Sequence, residues 1–245
     1  MSVSARRAVA AQARVELLLT LRRGESLVVS LAIPVGILVF FTKVDVAQTS
    51  LRDPVQFLVP GTLALAVMST AMVSLGIATG YERRYGVLKR LGSPPLSRAG
   101  LLAAKTMSVL ALEVVQAVVL LAVGAALGWQ NRGSIAAAVG LLLVGTVAFA
   151  GIGMFFAGVL RAEANLAVAN GLFLLLLFLG GMAYPLSRLP AYLEAVARAL
   201  PAAALSDTVR QALSAGPISI GALVTLVAWA IGAPLIAART FRWEE

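Results

Sequence analysis

Pro54–Tyr81 reads PVQFLVPGTLALAVMSTAMVSLGIATGY, twenty-eight consecutive positions without a charge. A helix that crosses the hydrocarbon of a bilayer needs about 20 mostly apolar residues. This stretch meets that length with room to spare, and its period is neither amphipathic nor alternating, so a membrane-spanning helix is its simplest reading. Working outward, five more stretches of the same kind lie between charged residues. They are Ser26–Thr42, Thr106–Asn131 (broken only by Glu113), Gly133–Leu160, Ala164–Ser187 and Gln211–Ala238. The first is the shortest and is expected to run past Lys43, whose long stem can reach the interface. The fold expected is all-α: a polytopic membrane protein with six transmembrane helices, residues 1–245 forming one transmembrane domain.

Composition agrees. Sixty per cent of the 245 residues are apolar and 13% charged, about half the charged share of a soluble domain. The chain has no Cys and no His, which removes the usual zinc, haem and thiol sites and His-based acid–base catalysis. No metal-binding or catalytic residue is expected.

The net charge of +9 would suggest nucleic acid in a soluble protein. Here its placement explains it. With six spans both termini share a side, and fourteen of the twenty basic residues fall on that side, with six opposite. Lys and Arg concentrate in cytoplasmic loops. Both termini are therefore expected in the cytoplasm of a cell whose plasma (inner) membrane holds the chain, and no nucleic-acid partner is expected. Arg14 and Glu16 interrupt the first apolar stretch, so a cleavable signal is not expected. Residues 1–25 are expected to form a cytoplasmic or interfacial helix, although Leu17, Leu18, Leu19 and Leu21 leave its apolar stripe poorly defined.

Two segments are more than connections. The loop 82–98 reads ERRYGVLKRLGSPPLSR. Gly92 and Pro94-Pro95 stop any helix that begins near Glu82, and Val87, Leu88 and Leu91 would share a face. An apolar face among cations in the cytoplasm suits a protein partner; rest on the membrane surface is the other reading. On the opposite side, 184–216 is punctuated by Pro185, Pro190 and Pro201. Between the last two, Tyr192, Leu193, Val196 and Leu200 follow helical spacing, with Glu194 and Arg198 as an i,i+4 pair. A short amphipathic helix that dips into the outer interface is expected, with a second over Asp207–Ala215.

Glu113 is the one formal charge well inside a span. An intramembrane carboxylate marks a functional site by default; a hydrogen-bonded strut between helices, with Gln116 one turn on, is the structural reading. Met68, Met72, Phe173 and Phe178, with Glu113, are candidates to line an apolar path, and core packing explains the four apolar ones equally. Gly76…Gly80 and Gly124…Gly128 are small-residue faces that permit close helix packing. No Gly-Lys-Ser/Thr of a phosphate loop is present, nor a Gly-x-Ser-x-Gly elbow.

Two blocks together resemble the permeases of ABC-2 type transporters, particularly the daunorubicin/doxorubicin-resistance type. One is Glu82-Arg83, Gly86, Leu88, Leu91, Pro94 and Lys105. The other is Gly180-Gly181, Pro185, Leu189-Pro190, Leu200-Pro201 and Arg210. The resemblance implies an exporter subunit, a component of antibiotic efflux, that is not itself an enzyme. It holds no cofactor of its own, ATP and Mg residing on a separate ABC ATPase subunit. It also implies a second permease copy or a homologous permease, contact with membrane lipid, an N-terminal elbow helix, and a re-entrant segment between helices 5 and 6. A coupling element made of Glu82, Arg83, Arg84, Tyr85, Gly86, Leu88 and Leu91 would dock on the ATPase. The sequence leaves two other classes open: a secondary transporter or channel, and a non-transporting membrane scaffold or assembly factor.

Overall fold

The computed structural model describes residues 24–43, 53–86 and 98–241. Every regular element among them is a helix. In chain order these are α1 (Gly24–Lys43), α2 (Pro54–Arg84), α3 (Arg98–Ala126), α4 (Ile135–Val159), α5 (Ala162–Leu179), α6 (Ala191–Arg198), α7 (Pro201–Leu213) and α8 (Ile220–Thr240). A single 3₁₀ turn, Leu186–Arg188, lies between α5 and α6. Five helices are long and apolar enough to cross a membrane: α2, α3 over Lys105–Ala126, α4, α5 and α8. The chain is a multi-pass, all-helical membrane protein.

The boundaries move where charge and conformation part company. The charge-free run to Ser187 predicts a fifth span that long, but α5 stops at Leu179. Gly181 follows at φ +62°, a conformation open to glycine, and the chain turns away. The last span begins at Ile220 rather than near Gln211, because Ala215 takes φ +58° and Pro217 follows. The helix expected over Asp207–Ala215 instead starts at Pro201, whose fixed φ suits a first helical position. Among the described residues, Glu82–Arg84 is the last turn of α2, and the chain turns at Tyr85–Gly86.

α2 is the central post. Across its most apolar window 83% is buried, against 17% for α8. α1, α3, α4, α5 and α7 all pack on it, while α8 packs mainly along α4 and α7. Lipid is as apolar as leucine, so close backbone approach and buried polar bonds decide which helix sits inside. α2 has both. A Cβ on Gly76 would stand 3.0 Å from the Gly153 carbonyl oxygen of α4, so the two backbones touch. Thr70 donates to Gln116 Oε1 at 2.9 Å, and Gln116 Nε2 donates to Ser30 Oγ at 3.2 Å. Gln116 on α3 thus ties α1 to α2, all three side chains being buried. Around Thr70 the helix widens into a π-helical segment, Met68–Ser74, a form that recurs at functional sites. Large apolar side chains such as Val114, Phe178 and Ile231 face outward, as lipid contact requires.

Candidate functional site at the Arg84 end of α2

Three consecutive residues close α2, and each grips a different element. Glu82 Oε2 meets Lys105 Nζ of α3 at 2.6 Å, with the Lys105 side chain 4% exposed. Arg83 is buried and donates from Nη2 to the Leu160 carbonyl oxygen at 2.5 Å. That carbonyl caps the C-terminus of α4, where unsatisfied carbonyls and the helix dipole both favour a cation. Arg84 pairs with Glu163, which lies in the first turn of α5, where the dipole favours an anion. Successive helical residues point about 100° apart, so three in a row reach three neighbours. Up to about two turns earlier, Asn165 of α5 donates to the Gly76 carbonyl at 2.9 Å and lies against Gly80. The Gly76…Gly80 face therefore packs on α4 and α5.

The helix ends in a defined way. Tyr85 N–H donates to the Tyr81 carbonyl at 2.9 Å, and Gly86 N–H to that of Arg83 at 3.1 Å. Gly86 adopts φ +67°, the left-handed exit that glycine allows without strain. Tyr85 is exposed and stacks on Tyr81 with ring centroids 6.2 Å apart. Leu88 and Leu91, the remaining members of the expected coupling element, lie outside the described residues, as does all but the end of the expected 1–25 helix.

The Pro54 end of α2 is held differently. Arg210 of α7 pairs with Asp207 at 2.8 Å, donates to the Gly181 carbonyl at 2.7 Å, and lies 3.9 Å above the Phe57 ring of α2. Ser206 donates to the Gly180 carbonyl at 2.5 Å. Gly61 faces the Met182 backbone so closely that any Cβ would collide with it. The three prolines each open an element: Pro185 precedes the 3₁₀ turn, Pro190 precedes α6, and Pro201 opens α7. The Glu194–Arg198 pair forms, with Nη2 to Oε1 at 2.5 Å.

The candidate path residues separate. Met68, Met72 and Phe173 share one buried apolar cluster, whereas Phe178 is exposed at the far end of α5. Glu113 is buried on α3 and accepts a 2.6 Å hydrogen bond from Thr146 of α4. Gln116 serves the α1–α2 bond instead.

Residues 7–214 match the family described as ABC-2 type transporter. The chain belongs to that family. An ABC-2 type chain is the membrane permease part of an ABC transporter and is partnered by an ABC ATPase subunit. No curated protein matches the chain. Within the ABC-2 frame, described residues of the two blocks, Glu82, Arg83 and Lys105 of one and Gly180, Gly181 and Arg210 of the other, lie at opposite ends of one helix. Sequence reasoning had Glu82, Arg83, Arg84 and Lys105, but not Glu163, the Leu160 carbonyl or Asn165. A signal for Glu163 existed: it is an acid in the short connection between two charge-free runs.

Proposed function

We propose that this ABC-2 chain is the permease of a drug-type exporter that moves a hydrophobic or amphiphilic substrate, drug-like or lipid-like, out of the cell. The energy comes from ATP and Mg bound on the separate ATPase, this chain contributing no cofactor site. Six spans, α1 included, sit in the plasma membrane with both termini and 82–98 in the cytoplasm and 184–216 outside. α6 and α7, too short to cross, re-enter the outer leaflet. A second permease unit completes the path.

The observation that carries the reading is the Glu82-Arg83-Arg84 triplet. It lies at the end of the most buried of the five membrane-length helices, next to the basic loop, and holds α3, α4 and α5 by three separate bonds. A partner that moves residues 82–91 would move three helices at once.

The test uses the full chain with its ABC ATPase in inside-out vesicles. ATP-dependent accumulation of a lipophilic dye is expected with both subunits, and neither ATPase activity nor accumulation with the permease alone. Leu88→Asp should release the ATPase on co-purification. For topology, Ser187→Cys should react with an impermeant thiol reagent on intact cells and Ser93→Cys should not; the native chain has no cysteine to confuse the result. Accumulation driven by an ion gradient without the ATPase would overturn the reading.

A further inference from the structure

Between α2, α3 and α4 lies a groove of about 130 Å³. Leu63 and Val67 of α2, Leu110 and Val114 of α3, and Val139 and Leu142 of α4 wall it, and Glu113 is the one ionisable side chain in its lining. It opens toward the surface that faces lipid, where Val114 is 63% exposed. Glu113 itself is 9% exposed. Its two carboxyl oxygens differ. Oε2 is 2.6 Å from Thr146 Oγ, while Oε1 is buried without a hydrogen-bond partner among the described residues. Thr146 supplies little, because its hydroxyl has one hydrogen to donate and its oxygen also lies 3.0 Å from the Leu142 carbonyl oxygen.

We propose that this groove binds the ammonium group of a membrane-soluble amine, with Glu113 as its counter-charge and the walls of α2, α3 and α4 around its apolar stem. A buried acceptor without a donor is costly, and more so when charged. An ammonium offers three donors and the opposite charge; an anion or a neutral apolar molecule offers neither. The volume equals about four waters at ~30 Å³ each, which suits an amino group with its first few carbons. Depth selects the source of the amine. Glu113 lies inside the apolar span Lys105–Ala126 of α3, about 12 Å from Lys105 and about 20 Å from Ala126 at ~1.5 Å per residue. The headgroup of an ordinary bilayer lipid stays at the interface, so the ligand is a free amphiphile that partitions into the membrane.

As the substrate site of an exporter this rests on the permease reading above; as a binding site it does not, so the experiment measures binding without ATP or ATPase. The full chain is placed in nanodiscs of phosphatidylcholine and phosphatidylglycerol, which carry no primary amine. It is titrated by fluorescence with 12-(dansylamino)dodecylamine and with its neutral N-acetyl counterpart. The amine should bind at least about tenfold tighter, the difference expected of a charge-assisted bond. Glu113→Gln, which keeps the shape and the Thr146 contact, should bring the two probes level without shifting the melting temperature by more than a few degrees. Val114→Phe narrows the groove from its exposed rim and should weaken the amine even if the Gln variant folds poorly. Equal binding of the two probes to the native chain, a preference that survives in Glu113→Gln, or no effect of Val114→Phe would each overturn the site. Displacement of the probe by phosphatidylethanolamine would assign the site to a lipid headgroup and overturn the free amphiphile.

Discussion

The two ends of α2 are fastened by different chemistry. In the last turn at the Arg84 end, past the Gly76–Gly153 backbone contact, the ties are side-chain bonds that reach outward from three adjacent residues: Glu82 to Lys105, Arg83 to Leu160, Arg84 to Glu163. At the Pro54 end the ties are backbone against backbone, Gly61 on Met182, with Arg210 spanning Asp207, Gly181 and Phe57. Long charged side chains can keep or exchange partners while helices shift by an ångström or two. A carbonyl pressed against a glycine cannot. The π-helical segment Met68–Ser74 lies between the two ends. In the function proposed above, the Arg84 end would transmit motion and the Pro54 end would anchor the helix.

That contrast can be broken by substitution. Arg210→Met should cost the most, about 3 kcal/mol, because it strands Asp207 and leaves the Gly181 carbonyl unbonded in a mostly buried setting. The loss would appear as a lowered unfolding temperature in detergent. Gly61→Leu forces atoms onto the Met182 backbone; overpacking of this kind costs about 1–3 kcal/mol and should also lower the yield of monodisperse protein. Glu82→Gln should cost less in stability, about 1–2 kcal/mol, since Glu82 is partly solvated and an amide still hydrogen-bonds Lys105. Its effect should instead fall on transport. Arg84→Gln should be the mildest, below about 1 kcal/mol, because both partners of that pair are well exposed. An Arg84 variant as unstable as the Arg210 one would erase the distinction between the two ends.

Much of this architecture can be read from the sequence, and the limits have physical causes. The charge-free runs mark the apolar helices because hydrocarbon tolerates little else. They do not mark where helices stop, since Gly181, Ala215 and Pro217 end or delay them without any change in polarity. Nor do they say which helix is central. α2 and α8 are both apolar, and only contacts across the chain, such as Gly76 on Gly153, distinguish them. At the site, Glu82 and Lys105 stand out by charge and by family resemblance. Their partners do not: the Arg83–Leu160 and Asn165–Gly76 bonds join residues 77 and 89 positions apart, one of each pair being a backbone carbonyl that no side-chain pattern reveals.

The most direct test of transmission through the Arg84 end is the substrate moved per ATP hydrolysed, in vesicles holding the permease with its ATPase. Three chains are compared: native, Glu82→Gln, and the charge swap Glu82→Lys with Lys105→Glu. The ATPase should co-purify with all three. Glu82→Gln should hydrolyse ATP with transport reduced about tenfold or more, and the swap, which restores an ion pair of opposite polarity, should recover a substantial part of it. Native transport per ATP in Glu82→Gln would contradict the role assigned to this end of α2.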